Sequence, residues 1–334
     1  MEANFMEAKN ILGGNTEGHL RPNLSQIERL KQFARQSASM LNLDRLDREL
    51  DQKLDREIAS ETGMSQPTKA AVIVIGGGED KVQDRKILRA FVESSGGTSA
   101  RIGIIPSASR EPDIIGRIYS DIFRDLGAEF VDVFDIRDRR DRYQDDPGRL
   151  LDDFTGVFMT GGDQLRLCAI IGDTPFALAM RERVHQKRLV LAGTSAGAAA
   201  MGHHMISGGS SGETPHKEIV NMATGLGILP EIIVDQHFHN RNRMCRLMTA
   251  ISSHPEMLGV GIDEDTAAVF EHDNLIKVVG RGAVTIIDPV EMSYSNQLWV
   301  SNTAPLTVHN LRIHILAAGA EYNLIKRVPI SPSV

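Results

Sequence analysis

The sequence has little of what marks secreted, membrane or nucleic-acid-binding proteins. It contains two cysteines in 334 residues, too few for an extracellular disulfide framework, so a reducing compartment is expected. No apolar run approaches the ~20 residues that span a bilayer, and the start MEANFMEAKN lacks the features of a signal peptide. The net charge of −7 argues against a surface for nucleic acid. We therefore expect a cytoplasmic protein with neither membrane nor nucleic-acid partners.

What is present suffices for a large core, since 41% of the residues are hydrophobic. In LDRLDRELDQKLDREIASE, apolar residues recur every three or four positions, at Leu43, Leu46, Leu50, Leu54 and Ile58. This spacing predicts an amphipathic helix that packs on its own domain or a partner subunit, or that has a regulatory or targeting role. Pro67 marks a linker. We expect a helical extension over residues 1–66 and one domain over residues 67–334.

Short β-branched runs alternate with helical segments from residue 69 onward. AAVIVIG, ARIGIIPSAS, EFVDVFDI, TGVFMTGG and RLVLAGTS read as strands, and helical patterns follow most of them. This alternation predicts a mainly parallel sheet with helices on both faces, and shorter strands follow residue 265. In such folds ligands bind beyond the carboxyl ends of the strands, where residues 76–78, 161–164 and 193–197 fall.

The stretch GTSAG, residues 193–197, matches the G-x-S-x-G pattern between a buried strand and a helix. In that setting Ser195 occupies a strained turn as a nucleophile, and its neighbours must be small because the backbone doubles back. The Ala196 NH then faces a developing oxyanion. The alternative is a tight packing turn without chemistry.

A serine nucleophile needs a base and a group that orients the base. His237 lies just past the predicted strand 232–234, with His239 as its competitor and a structural histidine as the alternative. Glu264, the middle of three consecutive acids, is the preferred orienting group, although Glu213 is a rival and the acids also fit a solvated turn. The pair His237 and His239 lacks further ligands at zinc-site spacing, so no metal is predicted.

Two glycine-rich loops also follow strands. In MTGGDQ, Gly162 or Asp163 can supply a second oxyanion NH, and Gln164 can bind a substrate amide or carboxylate or simply begin a helix. GGGEDK, residues 76–81, resembles part of a dinucleotide fingerprint, but Lys81 stands where that pattern requires glycine, so no nucleotide cofactor is predicted.

Three arginines follow the candidate base. Arg243 and Arg246 lie off the apolar helical stripe that contains Leu247 and Ile251. Together with Arg241 they fit bidentate recognition of a carboxylate, while the alternative is a solvated helix face with positive charges.

Taken together, eight motifs resemble those of cyanophycinases, serine peptidases related to aspartyl dipeptidase (dipeptidase E), and stand in the same order. They are GGGEDK, IPSAS, TGGDQLRL, GTSAGAAAM, SGETP, GLGIL, VDQHFHNRNR and GIDEDTA. The resemblance runs from about residue 69 to the C-terminus. It implies an α/β fold with a mainly parallel sheet flanked by helices, as in flavodoxin-like or class I glutaminase-like three-layer sandwiches. A homodimer without cofactors is also implied.

The resemblance further implies a substrate and a set of site residues. Cyanophycin is a poly-aspartate with arginine amide-linked to each side chain, and these enzymes release β-Asp-Arg dipeptides from it. The implied triad is Ser195, His237 and Glu264. The implied substrate pocket is Gln164, Asp235, Gln236, Arg241, Arg243 and Arg246. On this interpretation the arginines bind the free α-carboxylate of each substrate arginine, and Asp235 or another acid takes its guanidinium.

Three other functions are compatible with parts of the pattern. An aspartyl dipeptidase-type exopeptidase shares the serine turn but does not need three arginines after His237. An α/β-hydrolase esterase would need His309 or His314 as its base and an oxyanion motif that is missing here. A catalytically silent binding protein would be expected to lack one triad member.

Overall fold

The structure is a computed structural model that describes residues 72–141, 143, 145–212, 214–272 and 274–330. The predicted helix over residues 43–58 and Glu213 lie outside the described residues. The division into an extension and a single domain therefore stays a prediction. Among the described residues, no helix combines the length and apolarity needed to cross a membrane.

Strands and helices alternate through the first half of the described chain, as predicted. The strands are β1 (Val72–Ile75), β2 (Arg101–Ile105), β3 (Phe130–Val133), β4 (Gly156–Met159) and β5 (Val190–Thr194). The helices are α1 (Lys86–Ser94), α2 (Pro112–Asp125), α3 (Pro147–Asp152), α4 (Gln164–Ile171), α5 (Pro175–His185) and α6 (Ala196–Ala199). Proline opens α2, α3 and α5, where its fixed φ and missing NH are tolerated.

The second half consists mainly of short strands, as the pattern after residue 265 predicted. They are β6 (His204–Gly209), β7 (Val220–Thr224), β8 (Ile232–Gln236), β9 (Leu258–Ile262), β10 (Thr266–Phe270), β11 (Leu275–Gly280), β12 (Ala283–Asp288), β13 (Tyr294–Ser295), β14 (Val308–His309), β15 (Arg312–Ala317), β16 (Glu321–Asn323) and β17 (Val328–Ile330). One helix interrupts them, α7 (Met244–Ser253), and it contains Cys245. Both cysteines are free, in line with the expected lack of disulfides.

The central sheet has the strand order β17-β16-β11-β10-β1-β5-β4-β2-β3. The five strands from β1 to β3 in that order run parallel, and the other four add on in antiparallel fashion. Side chains of successive strand residues point to opposite faces. Thus two hydrophobic cores lie on opposite faces of the sheet. Val72 and Val74 of β1 belong to the core that includes residues of α3 to α6, whereas Ile73 and Ile75 belong to the core that includes residues of α1 and α2. The predicted three-layer α/β arrangement is confirmed.

A second sheet was not predicted. Its strand order is β15-β12-β9-β8, with β8 and β9 parallel and the other pairs antiparallel. β8 and β9 are short, fully buried strands that begin with apolar residues, as several strands of the central sheet do, so their local sequence does not reveal which sheet they join. Candidate residues of the site follow strands of both sheets, which places the site where the two sheets meet.

Candidate active site

The predicted nucleophile stands at the sharp turn between β5 and α6. Ser195 has φ 52° and ψ −106°, a conformation that costs about 1–3 kcal/mol and is concentrated at functional sites. Its NH donates to the Ile75 carbonyl at 3.0 Å, which ties the turn to β1. The strand–turn–helix context predicted from the sequence is therefore present, although α6 forms a single turn.

The small residues around Ser195 are required by close backbone packing. A Cβ placed on Gly193 would lie 2.6 Å from the backbone of Gly197, and a Cβ on Gly197 would lie 2.5 Å from the Met159 carbonyl oxygen. Neither contact can be relieved by rotating a side chain. The two glycines that flank Ser195 at positions 193 and 197 are thus explained by close packing around the turn.

The loop after β4 lies against the nucleophile. A Cβ on Gly161 would be 3.4 Å from the Ser195 Cβ, and Gly162 has φ 146°. The Asp163 NH donates to the Ala108 carbonyl at 2.9 Å, and the Asp163 side chain caps α4 by accepting from the Arg166 NH. Asp163 is therefore not free to donate to an oxyanion, which corrects that part of the prediction. The NH groups of Gly162 and Ala196 remain as candidates.

His237 lies directly after β8, and its imidazole ring is within hydrogen-bonding distance of Ser195. Ser195 Oγ and His237 Nε2 are 2.9 Å apart. The His237 NH donates to the Gly76 carbonyl at 2.8 Å, and a Cβ on Gly77 would overlap the imidazole carbon Cε1. The glycines after β1 therefore give space to the base. His237 is the predicted histidine that reaches the nucleophile.

Glu264 completes a chain of three side chains. Its Oε1 is 2.6 Å from His237 Nδ1. A carboxylate only accepts, so Nδ1 carries the proton and Nε2 of the neutral ring is left to accept from the serine. The Glu264 NH donates to Asn240 Oδ1 at 2.9 Å, which holds the strand end in place. The structure therefore brings the three predicted residues into one hydrogen-bonded line.

The rival residues have other partners. His239 lies 3.1 Å from the Thr285 hydroxyl in the second sheet, and Asp263 accepts from the backbone NH groups of His239 and Ala283. Asp265 accepts from the Asp80 NH at 2.8 Å. These acids stabilise loops, and Glu264 is the member of the acidic run that reaches the imidazole.

Burial lowers the pKa of His237 below its usual value. The hydrogen bond to Glu264 opposes this effect, and the charges of Arg241 and Arg243 add to it. A lowered pKa keeps the imidazole neutral near pH 7, as a general base requires.

Buried charges lie beside the base. Asp235 at 1% exposure and Arg246 at 4% form a bidentate pair, with Arg246 Nε donating to Oδ2 at 2.7 Å and its NH2 donating to Oδ1. Since both Asp235 oxygens are engaged, Asp235 is not placed to bind a substrate guanidinium, which corrects that expectation. The solvated-face alternative is also wrong for Arg246.

Arg243 is held by the same cluster. Its NH1 donates to Gln236 Oε1 at 3.0 Å and to the Gln236 carbonyl, and it lies 3.6 Å from Asp235 Oδ1. Burial lowers the pKa of Arg243 to about 10, so it remains charged at neutral pH. Arg243 is buried as well, whereas Arg241 is exposed.

Two arginines against one aspartate leave the buried cluster with an excess positive charge, and Arg241 adds to it. Gln164 lies at the start of α4, and its amide nitrogen donates to the carbonyls of Ile206 and Ser207, each at 3.1 Å. Its carbonyl oxygen is the group left to face a ligand. The chemistry of the cluster suits an anionic group.

One set of side chains in the described residues has the chemistry of metal ligands. The ligand atoms of His204, His254 and Glu256 lie within 4.8 Å of one another. His254 precedes β9, whereas the candidate triad follows the other ends of β8 and β9. The set is thus at the opposite ends of these strands from the triad and supplies nothing to its chemistry.

The profile of Peptidase family S51 matches residues 72–278, more than half of the chain. The chain belongs to peptidase family S51. This family assignment makes it a serine peptidase, and the matched range includes Ser195, His237 and Glu264.

Similar proteins extend over most of this S51 peptidase. A protein named Cyanophycinase from Trichormus variabilis is 56% identical over 269 residues, which covers 80% of this chain and 90% of that protein. A Cyanophycinase from Geminocystis herdmanii is 55% identical over 268 residues, covering 80% of this chain and 98% of that protein. The crystal structure of a peptidase from an acI-B1 Actinobacterium aligns with a TM-score of 0.55 at 20% identity, covering 76% of this chain and 96% of that one. This structural likeness supports the fold alone.

Sequence reasoning missed two features of the site. Asn240, which accepts from the Glu264 NH, lies in a short 3-10 helix, His239–Arg241, inside the motif VDQHFHNRNR, but its residue type alone does not indicate this contact. The glycines after β1 were compared with a phosphate-binding motif, whereas Gly77 makes room for His237. The sequence does carry a signal for the role of Gly77, because a cluster of glycines indicates that some group approaches the backbone closely. It does not indicate that this group is the His237 ring.

Proposed function

We propose that this chain is a cyanophycinase that cleaves the poly-aspartate backbone of cyanophycin and releases β-Asp-Arg dipeptides. The observation that carries the proposal is the Ser195–His237–Glu264 line, which lies beside a positively charged arginine cluster. Relatives above 50% identity carry the name Cyanophycinase. The substrate suits this site because every unit of cyanophycin carries a free carboxylate.

The proposed chemistry is acyl transfer through the serine. His237 Nε2 takes the Ser195 proton as Oγ attacks a backbone aspartyl carbonyl, and Glu264 stabilises the imidazolium that forms. The NH groups of Ala196 and Gly162 hold the oxyanion; a missing donor of this kind typically costs about 10²–10³ in kcat.

The tetrahedral intermediate then collapses to an acyl-enzyme, which water hydrolyses. His237 returns the proton to the leaving backbone nitrogen, which leaves an ester between Ser195 and the aspartyl carbonyl. Water attacks this ester and gives its proton to His237, and Ser195 Oγ takes that proton as the second product departs. No cofactor takes part in these steps.

We propose that substrate contacts come from Arg241, Arg243 and the carbonyl of Gln164. Arg241 is exposed, and Arg243 lies at the edge of the buried cluster at 9% exposure. Gln236 and Asp235 hold Arg243 in place, and Arg246 in turn fixes Asp235, so these three residues serve Arg243 instead of contacting the substrate themselves. An arginine fixed in this way loses little side-chain freedom when it binds a carboxylate.

Incubation of the full-length protein with insoluble cyanophycin tests the proposal. We expect β-Asp-Arg among the soluble products by mass spectrometry, with turnover lost in Ser195→Ala. The matched control is Ser99→Ala, which removes an exposed hydroxyl in the first half of the chain and should leave turnover unchanged. Cleavage of free aspartyl dipeptides, without release from cyanophycin, would instead favour an aspartyl dipeptidase-type exopeptidase.

We also propose a cytoplasmic homodimer with a separate N-terminal extension. Two free cysteines support a reducing compartment, and the resemblance to cyanophycinases supports the dimer. Gel filtration with light scattering of the full chain and of a chain starting at Lys69 tests the dimer and the division into an extension and one domain. A monomeric mass for both chains would contradict the dimer, and a Lys69 chain that cannot fold would contradict the division.

A further inference from the structure

The glycine-rich motif after β1 is not explained by the triad alone. Residues 76–81, the glycine loop, begin with three glycines that pack on the base and its acid. A Cβ on Gly77 would overlap the ring of His237, and a Cβ on Gly78 would lie 3.4 Å from the Glu264 side chain. The glycine loop therefore surrounds two members of the triad. Its fourth residue, Glu79, contacts Thr194, which precedes the third member, Ser195.

Glu79 is a buried carboxylate at 3% exposure. It accepts from the Thr194 hydroxyl at 2.6 Å and from the Tyr119 hydroxyl, and the Lys81 ammonium lies 2.9 Å from its Oε1. Burying a carboxylate is costly unless donors replace the lost water, and three donors do so here. Burial and the Glu79 charge raise the pKa of Tyr119, so the phenol stays a donor.

The Thr194 contact connects this carboxylate to the nucleophile. Thr194 is the last residue of β5 and immediately precedes Ser195, whose backbone is strained. The strand partner of Thr194 is Ile75, which also accepts from the Ser195 NH. Two hydrogen bonds therefore fix the backbone where it enters the turn: the one from the Ser195 NH to Ile75, and the one from the Thr194 hydroxyl to Glu79.

We propose that Glu79 is a positioning residue that acts through Thr194 to keep Ser195 Oγ at hydrogen-bonding distance from His237. The inference deepens the proposed function, since it assumes a nucleophilic serine. It does not depend on cyanophycin as the substrate. A misplacement of about 1 Å at a reacting atom is sufficient to cost about 10²-fold in rate, so a loosened turn should be visible in the chemical step.

A matched pair of substitutions at Thr194 tests the link. Thr194→Val keeps the shape but removes the hydroxyl, whereas Thr194→Ser keeps the hydroxyl. We expect Thr194→Val to lower kcat on cyanophycin about 10–100-fold with KM within about 3-fold of wild type, because positioning acts on the reacting atom. Thr194→Ser should stay within about 3-fold of wild type. Thr194→Ala replaces Thr194→Val should the latter fail to fold.

Tyr119→Phe separates positioning from general stability. It removes another donor to Glu79 but leaves Thr194 in place, so we expect a lower Tm with nearly unchanged kcat. A fluorophosphonate, whose phosphorus the serine oxygen attacks with loss of fluoride, provides a readout without cyanophycin, and the phosphonylation rate should follow kcat across the variants. If Tyr119→Phe and Thr194→Val lose the same activity, or if Thr194→Val is phosphonylated at the wild-type rate, the proposal is overturned. Rapid phosphonylation of a wild type that leaves cyanophycin intact would contradict the proposed function alone.

Discussion

Replacing Asp235 by asparagine tests the pairing inside the arginine cluster. Asp235 and Arg246 are both almost fully buried, and Arg246 donates to both carboxylate oxygens. Asp235→Asn removes the charge but nearly keeps the volume, so Arg246 is left buried beside a neutral group with one accepting oxygen in place of two. Removing one partner of a buried ion pair costs about 3–5 kcal/mol in the free energy of unfolding.

This cost translates into a measurable shift in thermal stability. For domains of 150–250 residues, 1 kcal/mol changes Tm by about 2–4 °C, so Asp235→Asn should lower Tm by about 6–20 °C. Differential scanning calorimetry of the full-length protein at fixed pH and concentration measures this change. The matched control is Asp125→Asn, which breaks the more exposed contact of Asp125 with Arg85 at 3.5 Å. Contacts near the surface contribute about 0–1 kcal/mol.

A double variant identifies the cause of the loss. Asp235→Val/Arg246→Met replaces this pair by apolar side chains of similar combined size, so the unpaired Arg246 charge is removed, while Arg243 keeps its hydrogen bonds to Gln236. Replacement of a buried pair in this way is often neutral or stabilising, and the double variant should therefore be more stable than Asp235→Asn. A Tm loss under about 3 °C for Asp235→Asn, or a double variant less stable than the single one, would refute the reasoning.

Three further predictions concern the triad. Because the pKa of His237 is lowered and the base must be neutral, kcat/KM should fall as the pH is lowered, with an apparent pKa below 6.5. Arg241→Gln removes a charge that lowers this pKa, so in that variant the acid limb of the pH profile should move to higher pH. Gly77→Ala places a methyl group against the His237 ring and should lower kcat at least about 10²-fold. The control is Gly127→Ala, which has the same φ of 93° but open space around it and should change Tm alone. Equal kcat values in the two variants would contradict the steric argument. Glu264→Gln should lower kcat about 10⁴-fold by favouring the wrong imidazole tautomer, and a loss below 10-fold in steady-state assays would exclude Glu264 as the orienting group.

The features that sequence predicted well are those encoded locally. A buried strand, a strained serine and a helix start occupy adjacent positions, and Gly193 is needed by its close backbone contact with Gly197 within the same turn. The alternation of strands and helices up to α6 is local in the same sense. Such patterns constrain φ, ψ and burial over a few residues, so a single sequence was sufficient to place Ser195.

The second sheet depends on pairings that local patterns do not encode. β8 pairs with β9 about 26 residues away along the chain, and β9 pairs with β12. All positions of β8 and β9 are buried, as are those of β1, β4 and β5 in the central sheet. The burial of Arg243 and Arg246 has the same origin, because helix periodicity shows which face a side chain occupies but not what covers that face. The pairing of Asp235 with Arg246 was therefore not predicted.

The position of the triad follows from how the two sheets meet. Ser195 follows β5 in the central sheet, whereas His237 and Glu264 follow β8 and β9 in the second sheet. A nucleophile and base on separate sheets hold a fixed distance only if a third segment bonds to both. The end of β1 does so, since Ile75, its last residue, accepts from the Ser195 NH and the following Gly76 accepts from the His237 NH. Gly77 leaves room for the His237 ring at this junction, and this steric requirement is sufficient to account for a glycine-rich motif after β1.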